Sequence, residues 1–329
     1  MSKSKSISIS KKFEDKELGF SRLELNLKGK DINHIVVNSL KRIIQTDIPI
    51  YAFNEFNITS NTSIFNNNYI KDHIKNIPIW GIENKIDEFI KKEEEEEEYF
   101  DENIGIVNDD IDLDVEKNMD LSALNQLNMY INFINSEKEI KTVTTDSAEF
   151  HYKENLIKSP YKNPVQIIKL QPGQEIKLTA KAILGKEEIS GIFSSTNVCY
   201  FKENNDNDYD FILESRGQIS EKRIMTLAIK LLIKKLKKFN ESLPKNNGME
   251  GKIIVENEDH TLGNLISYYM QKHNSVHFFG YNTPHPLKKE INFHYKLNSG
   301  NLNSIVKEVV VECEKIFESI YDLFISKKI

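Results

Sequence analysis

The stretch EDHTLGNLI, Glu258 to Ile266, decides the fold because it marks the start of a helix. Asp259 and Thr261 stand just before apolar side chains that recur at the spacing of one helix face, namely Leu262, Leu265, Ile266 and Tyr269. A side-chain oxygen at this point is typical of a helix N-cap. We therefore predict a cap rather than a catalytic acid, since no second acid or base at fixed spacing accompanies it.

A glycine inside the first turn of this helix predicts a close neighbour. Gly263 costs a helix about 1 kcal/mol relative to alanine. We expect a backbone or side chain of another element to approach it.

The last third of the chain has the predicted element order strand, helix, two strands and a final helix. Strand KIIVEN precedes the helix from Thr261, and strands HFFGY and INFHYKL precede a final helix. The apolar stripe of that final helix is wider than one small sheet requires, so we expect it to pack on a second body as well.

The front of the chain has the same order. FSRLELNLKG (20–29) alternates as a half-buried strand, and DINHIVVNSLKRII (31–44) follows with helical spacing. Asp31 is the predicted N-cap of this helix, and Lys41 and Arg42 are placed late, where they suit the helix dipole. A long helix is predicted from Ser220 to Phe239, then the linker PKNNGMEG. The repeated order indicates two related half-domains packed on each other.

Between the halves, the sequence predicts a mostly β insertion with an acidic loop. MYINFINS, KTVTTD, VQIIKL and EIKLTAKAIL read as strands, and Pro172 with Gly173 predicts a hairpin or a tight turn between the last two. Residues 83–120 hold 17 acidic and four basic side chains, within a net charge of −6 for 329 residues. Self-repulsion and poor burial predict a loop there.

Composition excludes several classes. The chain lacks a run of 18 apolar residues and a signal-peptide core, so we expect an intracellular protein without membrane contact. Cys199 and Cys313 are too few for a disulfide framework and lack zinc-site spacing. The mildly basic remainder permits contact with nucleic acid but does not argue for it, because such an interface needs lysines and arginines concentrated on one face.

No motif assembles an active site. Asp110, Asp112 and Asp114 alternate as metal-binding carboxylates do, but Val115 and Leu121 stand where a calcium loop needs glycine and glutamate. His273 and His277 have a helical metal-site spacing, yet His277 lies in a predicted strand. No phosphate-binding loop, GxSxG or HExxH occurs. We predict no catalytic residue, metal or cofactor. The alternative is a metal-dependent nucleic-acid enzyme that uses the carboxylates near Asp110, with Asp112 essential.

The stretch 256–297 closely resembles the smaller alpha-like subunit of eukaryotic and archaeal DNA-directed RNA polymerases, the eleventh-largest subunit of polymerase II. Its hallmarks stand at 259–265, at 280–281 and at 284–287. The front part resembles the larger alpha-like partner, the third-largest subunit, through NSLKRIIQTDIPIYAFNEFNITSNTS, IIKLQPGQEIKLTAKAILGK and ILESRGQI. Lys41 replaces the first arginine of that family's pattern. Abundant Asn, Ile and Lys indicate an A/T-rich genome. A fused chain with such coding also resembles polymerases of large cytoplasmic DNA viruses.

The resemblance implies an α+β fold in which two alpha-like dimerisation halves form an intramolecular pseudo-heterodimer. The predicted segments are the larger half (18–52 and 198–243), the insertion (53–197, with the acidic loop at about 83–120), the linker (244–250) and the smaller half (251–326). Together with the helical patterns, it predicts that the halves meet through Ile35, Leu40, Ile43, Leu262, Leu265 and Tyr269.

The resemblance also implies a role and partners. The chain would be a non-catalytic platform that nucleates assembly of the two largest polymerase subunits and also contacts small subunits. It would need no separate alpha-like partner and would not read a DNA sequence directly. Some relatives carry a four-cysteine zinc loop in the insertion, and this chain has no cysteine there, so no zinc is expected. If the source is viral, the expected locations are the viral factory in the host cytoplasm and the virion.

Overall fold

The structure is a computed structural model that describes residues 7–15, 22–80, 127–152, 155–161, 163–244, 248–285 and 288–326. The predicted acidic loop, Asp110 to Asp114 and the middle of the predicted linker (245–247) lie outside these residues. The chain divides into two compact units. The first comprises Met1–Ile48, Ser195–Arg216 and Ser220–Ile329, and the second comprises Pro49–Ser194 and Gly217–Ile219. Helices and strands are both abundant, which confirms the α+β class.

The helices and strands are numbered in chain order. The elements up to residue 157 are β1 (Ile7–Asp15), β2 (Arg22–Gly29), α1 (His34–Thr46), β3 (Ile50–Asn61), α2 (Asn67–Lys75), β4 (Leu127–Ile134), β5 (Lys141–Thr144), β6 (Ala148–Tyr152) and β7 (Asn155–Ile157). The later elements are β8 (Gln166–Leu170), β9 (Glu175–Gly185), β10 (Thr196–Asn205), β11 (Asp208–Ser215), α3 (Glu221–Glu241), β12 (Glu250–Glu256), α4 (His260–Lys272), β13 (Val276–Asn282), β14 (Glu290–Leu297) and α5 (Leu302–Ser326).

The residues described in the first unit form two antiparallel sheets. One has the strand order β1-β2-β11-β10, and the other has the order β12-β14-β13. In β2, Leu23, Leu25 and Leu27 are buried while their neighbours are half-exposed or exposed, which confirms the predicted alternation. One face of each sheet therefore supplies apolar side chains to the core of this unit.

Four helices lie in the described part of the first unit. Helix α1 packs against α3, α4 and β10, and α5 packs against α3, α4 and β1. The expected second body for the final helix is thus confirmed, because β1 and α3 both precede the predicted linker. The N-cap of α1 is Asn33, whose side chain accepts hydrogen bonds from the backbone N–H groups of Ile35 and Val36. The prediction of Asp31 as the cap was wrong, since the helix begins two residues later than that cap requires.

Among its described residues, the second unit contains β-strands, one α-helix and two short 3-10 helices. A five-stranded antiparallel sheet has the order β3-β9-β4-β6-β7, and β5 pairs with β8. The turn at Pro172 and Gly173 is tight, with Gly173 at a φ of 77°. It does not make a hairpin, because β8 and β9 belong to different sheets. The main segment of this unit spans Pro49–Ser194, and the predicted insertion spans 53–197.

Candidate dimerisation site

Helices α1 and α4 pack against each other inside the first unit. The six side chains predicted to join the halves are all buried in these two helices, with at most 5% of any of them exposed. Three lie in α1 and three in α4: Ile35, Leu40, Ile43, Leu262, Leu265 and Tyr269. Fully burying a side chain of this kind stabilises a fold by about 1.5–3 kcal/mol. That these six form the contact face itself stays a prediction.

Polar contacts at both ends show that α1 and α4 run antiparallel. Before α1, the Asn33 amide donates to the Tyr269 hydroxyl near the end of α4, at 3.2 Å. At the other end, Arg42 in the second half of α1 donates to Asp259 (2.6 Å) and to Thr261 (2.8 Å) at the start of α4. Residues that are early in one helix therefore lie beside residues that are late in the other.

Asp259 is both a cap and a partner of Arg42. Its Oδ1 accepts from the Thr261 backbone N–H at 2.7 Å, so the predicted cap of α4 is confirmed. Its Oδ2 accepts from the Arg42 guanidinium. Burial works against the Asp259 carboxylate, but the hydrogen bonds from Thr261 and Arg42 outweigh it and lower its pKa. The sequence assigned Arg42 to the dipole of its own helix, whereas its partner is the N-terminus of α4.

A second ionic contact lies beside the first. The Lys235 ammonium on α3 lies 3.1 Å from the Glu258 carboxylate and 3.2 Å from the Asp47 carboxylate. Asp47 is the C-cap of α1, and Glu258 precedes the cap of α4. Burial opposes the charge of Lys235, but the two carboxylates outweigh this and raise its pKa. Burial raises the pKa of Glu258, although Lys235 counteracts it. Lys235 thus joins three segments, and no sequence pattern had indicated it.

The glycine of the opening stretch meets the aromatic ring of another motif. A Cβ at Gly263 would lie 2.6 Å from the Tyr281 ring, which confirms the expected close approach. The Tyr281 hydroxyl lies 3.2 Å from Nδ1 of His260. The HTLGN and GY motifs therefore form one contact between α4 and β13, which explains why glycine stands in the first helical turn.

An aromatic cluster joins α3 to the β12-β14-β13 sheet of the first unit. The Phe239 ring on α3 lies 5.3 Å from that of Phe293 on β14, and Phe279 lies at the same distance from Phe293. All three are fully buried. Rings at these separations add to the stabilisation from burial.

Helices α3 and α5 also run antiparallel. Ile229 and Ile233 line one cavity with Tyr321 and Asp322, while Lys237, later in α3, acts on the carboxylate of Glu314, earlier in α5. The Asn303 amide donates to the Pro244 carbonyl at 3.1 Å, which continues the same trend. Each antiparallel pair, α1 with α4 and α3 with α5, takes one helix from either side of the predicted linker.

Other candidate groups do not gather into a site. Within the described ranges, no three His, Cys, Asp or Glu side chains are close enough to hold a metal ion. Cys199 and Cys313 are buried free thiols, and burial raises the pKa of Cys199 to about 12. In the part of the chain that the structure describes, no helix has the length and apolar character needed to cross a membrane. Asp110, Asp112 and Asp114 lie outside the described residues.

The first match to known proteins covers the predicted smaller half of the chain. Residues 250–322 match the family model of the RNA polymerase Rpb3/Rpb11 dimerisation domain. A protein of Caenorhabditis briggsae described as subunit RPAC2 of DNA-directed RNA polymerases I and III is 40% identical over 72 residues, covering 22% of this chain and 46% of that protein. The corresponding subunit of Schizosaccharomyces pombe is 46% identical over 39 residues, covering 12% of this chain and 31% of its own.

One relative matches nearly the whole chain. A protein of Acanthamoeba polyphaga mimivirus, described as the DNA-directed RNA polymerase subunit R470, is 25% identical over 340 residues, which cover 92% of this chain and 90% of that protein. The match therefore includes both sides of the predicted linker. These findings confirm that the chain resembles the alpha-like subunits of DNA-directed RNA polymerases, including one from a large DNA virus.

Proposed function

We propose that this chain is the assembly platform of a multisubunit DNA-directed RNA polymerase, with both alpha-like halves in one polypeptide. It serves as a non-catalytic subunit on which the two largest, catalytic subunits associate. Small polymerase subunits are further partners, and no separate alpha-like subunit is required. If the source is a large DNA virus, the chain acts in the cytoplasmic viral factory and is packaged in the virion.

The observation that carries this proposal is the pairing of helices across the predicted linker. Two antiparallel pairs, α1 with α4 and α3 with α5, lie within one compact unit. The family model that matches residues 250–322 describes a dimerisation domain. Pairing within one chain gives the halves an effective concentration on the order of millimolar, so the platform forms without a separate subunit.

The test is to charge the buried centre of the α1–α4 pair and to ask whether the polymerase still assembles. In Leu265→Asp, a side chain with no exposed surface becomes a carboxylate. Burying an unpaired charge costs several kcal/mol, so we expect the halves to separate and the two largest subunits to be missing from the purified complex. Affinity purification of the tagged chain followed by quantitative mass spectrometry of the subunits measures this.

The matched control is Ile254→Asp, which places the same charge in the smaller half on a side chain that is 54% exposed. This variant should assemble normally. The wild-type chain alone should synthesise no RNA in a nucleotide-incorporation assay. An intact polymerase that contains Leu265→Asp at normal stoichiometry contradicts the proposal.

A further inference from the structure

A groove lies between α3 and α5. Its volume is about 320 Å³, and six residues line it: Ile229, Lys230, Ile233, Glu318, Tyr321 and Asp322. Because α3 and α5 come from opposite sides of the predicted linker, neither half forms this groove alone. Any partner that binds there recognises the joined halves.

The groove has an apolar floor and walls of opposite charge. Ile229 is buried, and Ile233 and Tyr321 are half-buried. The α3 wall carries Lys230, and the α5 wall carries Glu318 and Asp322, all of them exposed.

Two of the three wall charges are unpaired within the part of the chain that the structure describes. Among the described residues, Lys230 and Asp322 form no ion pair, with each other or with a third group. Their charges therefore remain available to a partner.

This arrangement fits a helix better than a small molecule. The volume lies at the bottom of the range of small-molecule pockets, and the polar groups lie at the rim instead of converging on the floor. Two adjacent antiparallel helices leave a groove into which a third helix can place its apolar stripe. Charges beside such a stripe select the partner, as they do at the edges of a coiled coil.

We propose that this groove binds an amphipathic α-helix of another polymerase subunit. The helix presents a stripe of large apolar residues to Ile229, Ile233 and Tyr321. Acidic residues flank the stripe on the edge that faces Lys230, and basic residues flank it on the edge that faces Glu318 and Asp322. The identity of the partner as a polymerase subunit rests on the proposed function, whereas the preference for such a helix does not.

The first experiment measures this preference on the full-length chain with three synthetic helical peptides. All share one leucine stripe; one has a Glu edge and a Lys edge, one has Lys on both edges, and one has Glu on both. Fluorescence anisotropy at low salt should show the mixed peptide binding about 5-fold tighter than the other two. Because a helix can lie in the groove in either direction, a peptide with its Glu and Lys edges exchanged could still match both walls. The mixed peptide is therefore compared with the two uniform peptides.

Reversing one wall should change the preference. In Lys230→Glu both walls are acidic, and the all-Lys peptide should become the tightest binder by a similar factor. Lys315→Glu makes the same charge change on an exposed α5 residue outside the groove and should leave the order unchanged. Equal binding of the three peptides, or no binding by any, overturns the proposal.

The second experiment places the groove in the polymerase. The double variant Lys230→Glu with Tyr321→Glu charges the wall and the floor without touching the α1–α4 pair. Native mass spectrometry of the purified complex should show both largest subunits present and one other subunit depleted at least 5-fold. Full occupancy of every subunit overturns the inference. Loss of the two largest subunits from Leu265→Asp is a different readout, so the proposed function and this inference fail separately.

Discussion

Helices α1 and α4 make equivalent contacts with different chemistry. Each has 13 residues and begins at a side-chain cap, Asn33 for α1 and Asp259 for α4. Each cap also bonds to the far end of the other helix. The Asn33 end is neutral, whereas the Asp259 end is ionic. Apolar burial is common to both helices, so the polar ends are what distinguish one partner from the other and fix the register.

The largest expected effect comes from the ionic end. Lys235→Met removes the ammonium that Glu258 and Asp47 share, and Glu258 is only 10% exposed. A carboxylate left buried without its partner destabilises a protein by about 2–4 kcal/mol, so the free energy of unfolding should fall by that amount in urea denaturation at neutral pH. Burial already raises the pKa of Glu258, and protonation removes its charge. Part of the loss should therefore be recovered as the pH is lowered.

The matched control for this variant is Lys141→Met in the second unit. Lys141 pairs with Glu137 at 2.9 Å, but 42% and 60% of these side chains are exposed. Exposed pairs contribute about 0–1 kcal/mol, so the control should change little. A loss below about 1 kcal/mol for Lys235→Met would contradict a stabilising role for its contacts with Glu258 and Asp47.

The next largest effect is expected at the position four residues after the cap, where the two helices differ. This residue is Val37 in α1 and Gly263 in α4. A Cβ at Gly263 would lie 2.6 Å from the Tyr281 ring. Gly263→Ala gains about 1 kcal/mol of helix propensity, but the overpacking should cost more, for a net loss of about 1–2 kcal/mol in thermal or urea unfolding. Removing the ring in Gly263→Ala with Tyr281→Ala should make the added methyl favourable. A stabilised single variant contradicts the close contact.

The sequence predicted these elements well because their patterns are local. The alternation in β2, the cap at Asp259 and the close neighbour of Gly263 each follow from a few adjacent residues. The N-cap of α1 was misplaced because Asp31 and Asn33 are both good caps, and only the fold selects between them. Local patterns therefore predict the existence of an element more reliably than the residue at which it begins.

The ionic contacts could not be predicted in the same way. Lys235 lies 23 residues from Glu258 along the chain, and Arg42 lies 217 residues from Asp259. Nothing in the lysine-rich sequence of α3 separates Lys235 from its neighbours until α1 and α4 are brought beside it. The turn at Pro172 shows the same limit, because its residues fix the bend while the strand pairing depends on distant strands.

The neutral end should have a smaller effect that does not depend on pH between about pH 3 and 8. Asn33→Ala removes the acceptor for two backbone N–H groups of α1 and the donor to Tyr269. The loss of a cap typically costs about 1 kcal/mol, and the bond to Tyr269 adds to this, for a total of about 1–2 kcal/mol. Asn33→Ser is the control that keeps a capping oxygen and removes the amide donor without adding a charge. A pH-dependent loss in Asn33→Ala would show that this end is not neutral.

The smallest expected effect isolates the charge at Asp259 from its role as a cap. Asparagine caps helices about as well as aspartate, so Asp259→Asn removes mainly the ionic part of the contact with Arg42, which is worth about 0.5–1 kcal/mol for partly exposed groups. The folded-state pKa of Asp259 lies below its ordinary value of about 3.9, so this stabilisation is fully present above that pH and is lost as the pH falls. The difference in unfolding free energy between wild type and Asp259→Asn should therefore be constant from pH 5 to 8 and should shrink below about pH 4. In Arg42→Met the difference should be smaller at neutral pH, because only the hydrogen bonds from Thr261 then favour the charged carboxylate. A difference that persists unchanged into acid would assign the stabilisation to the cap alone and would remove the contrast between the two ends of the helix pair.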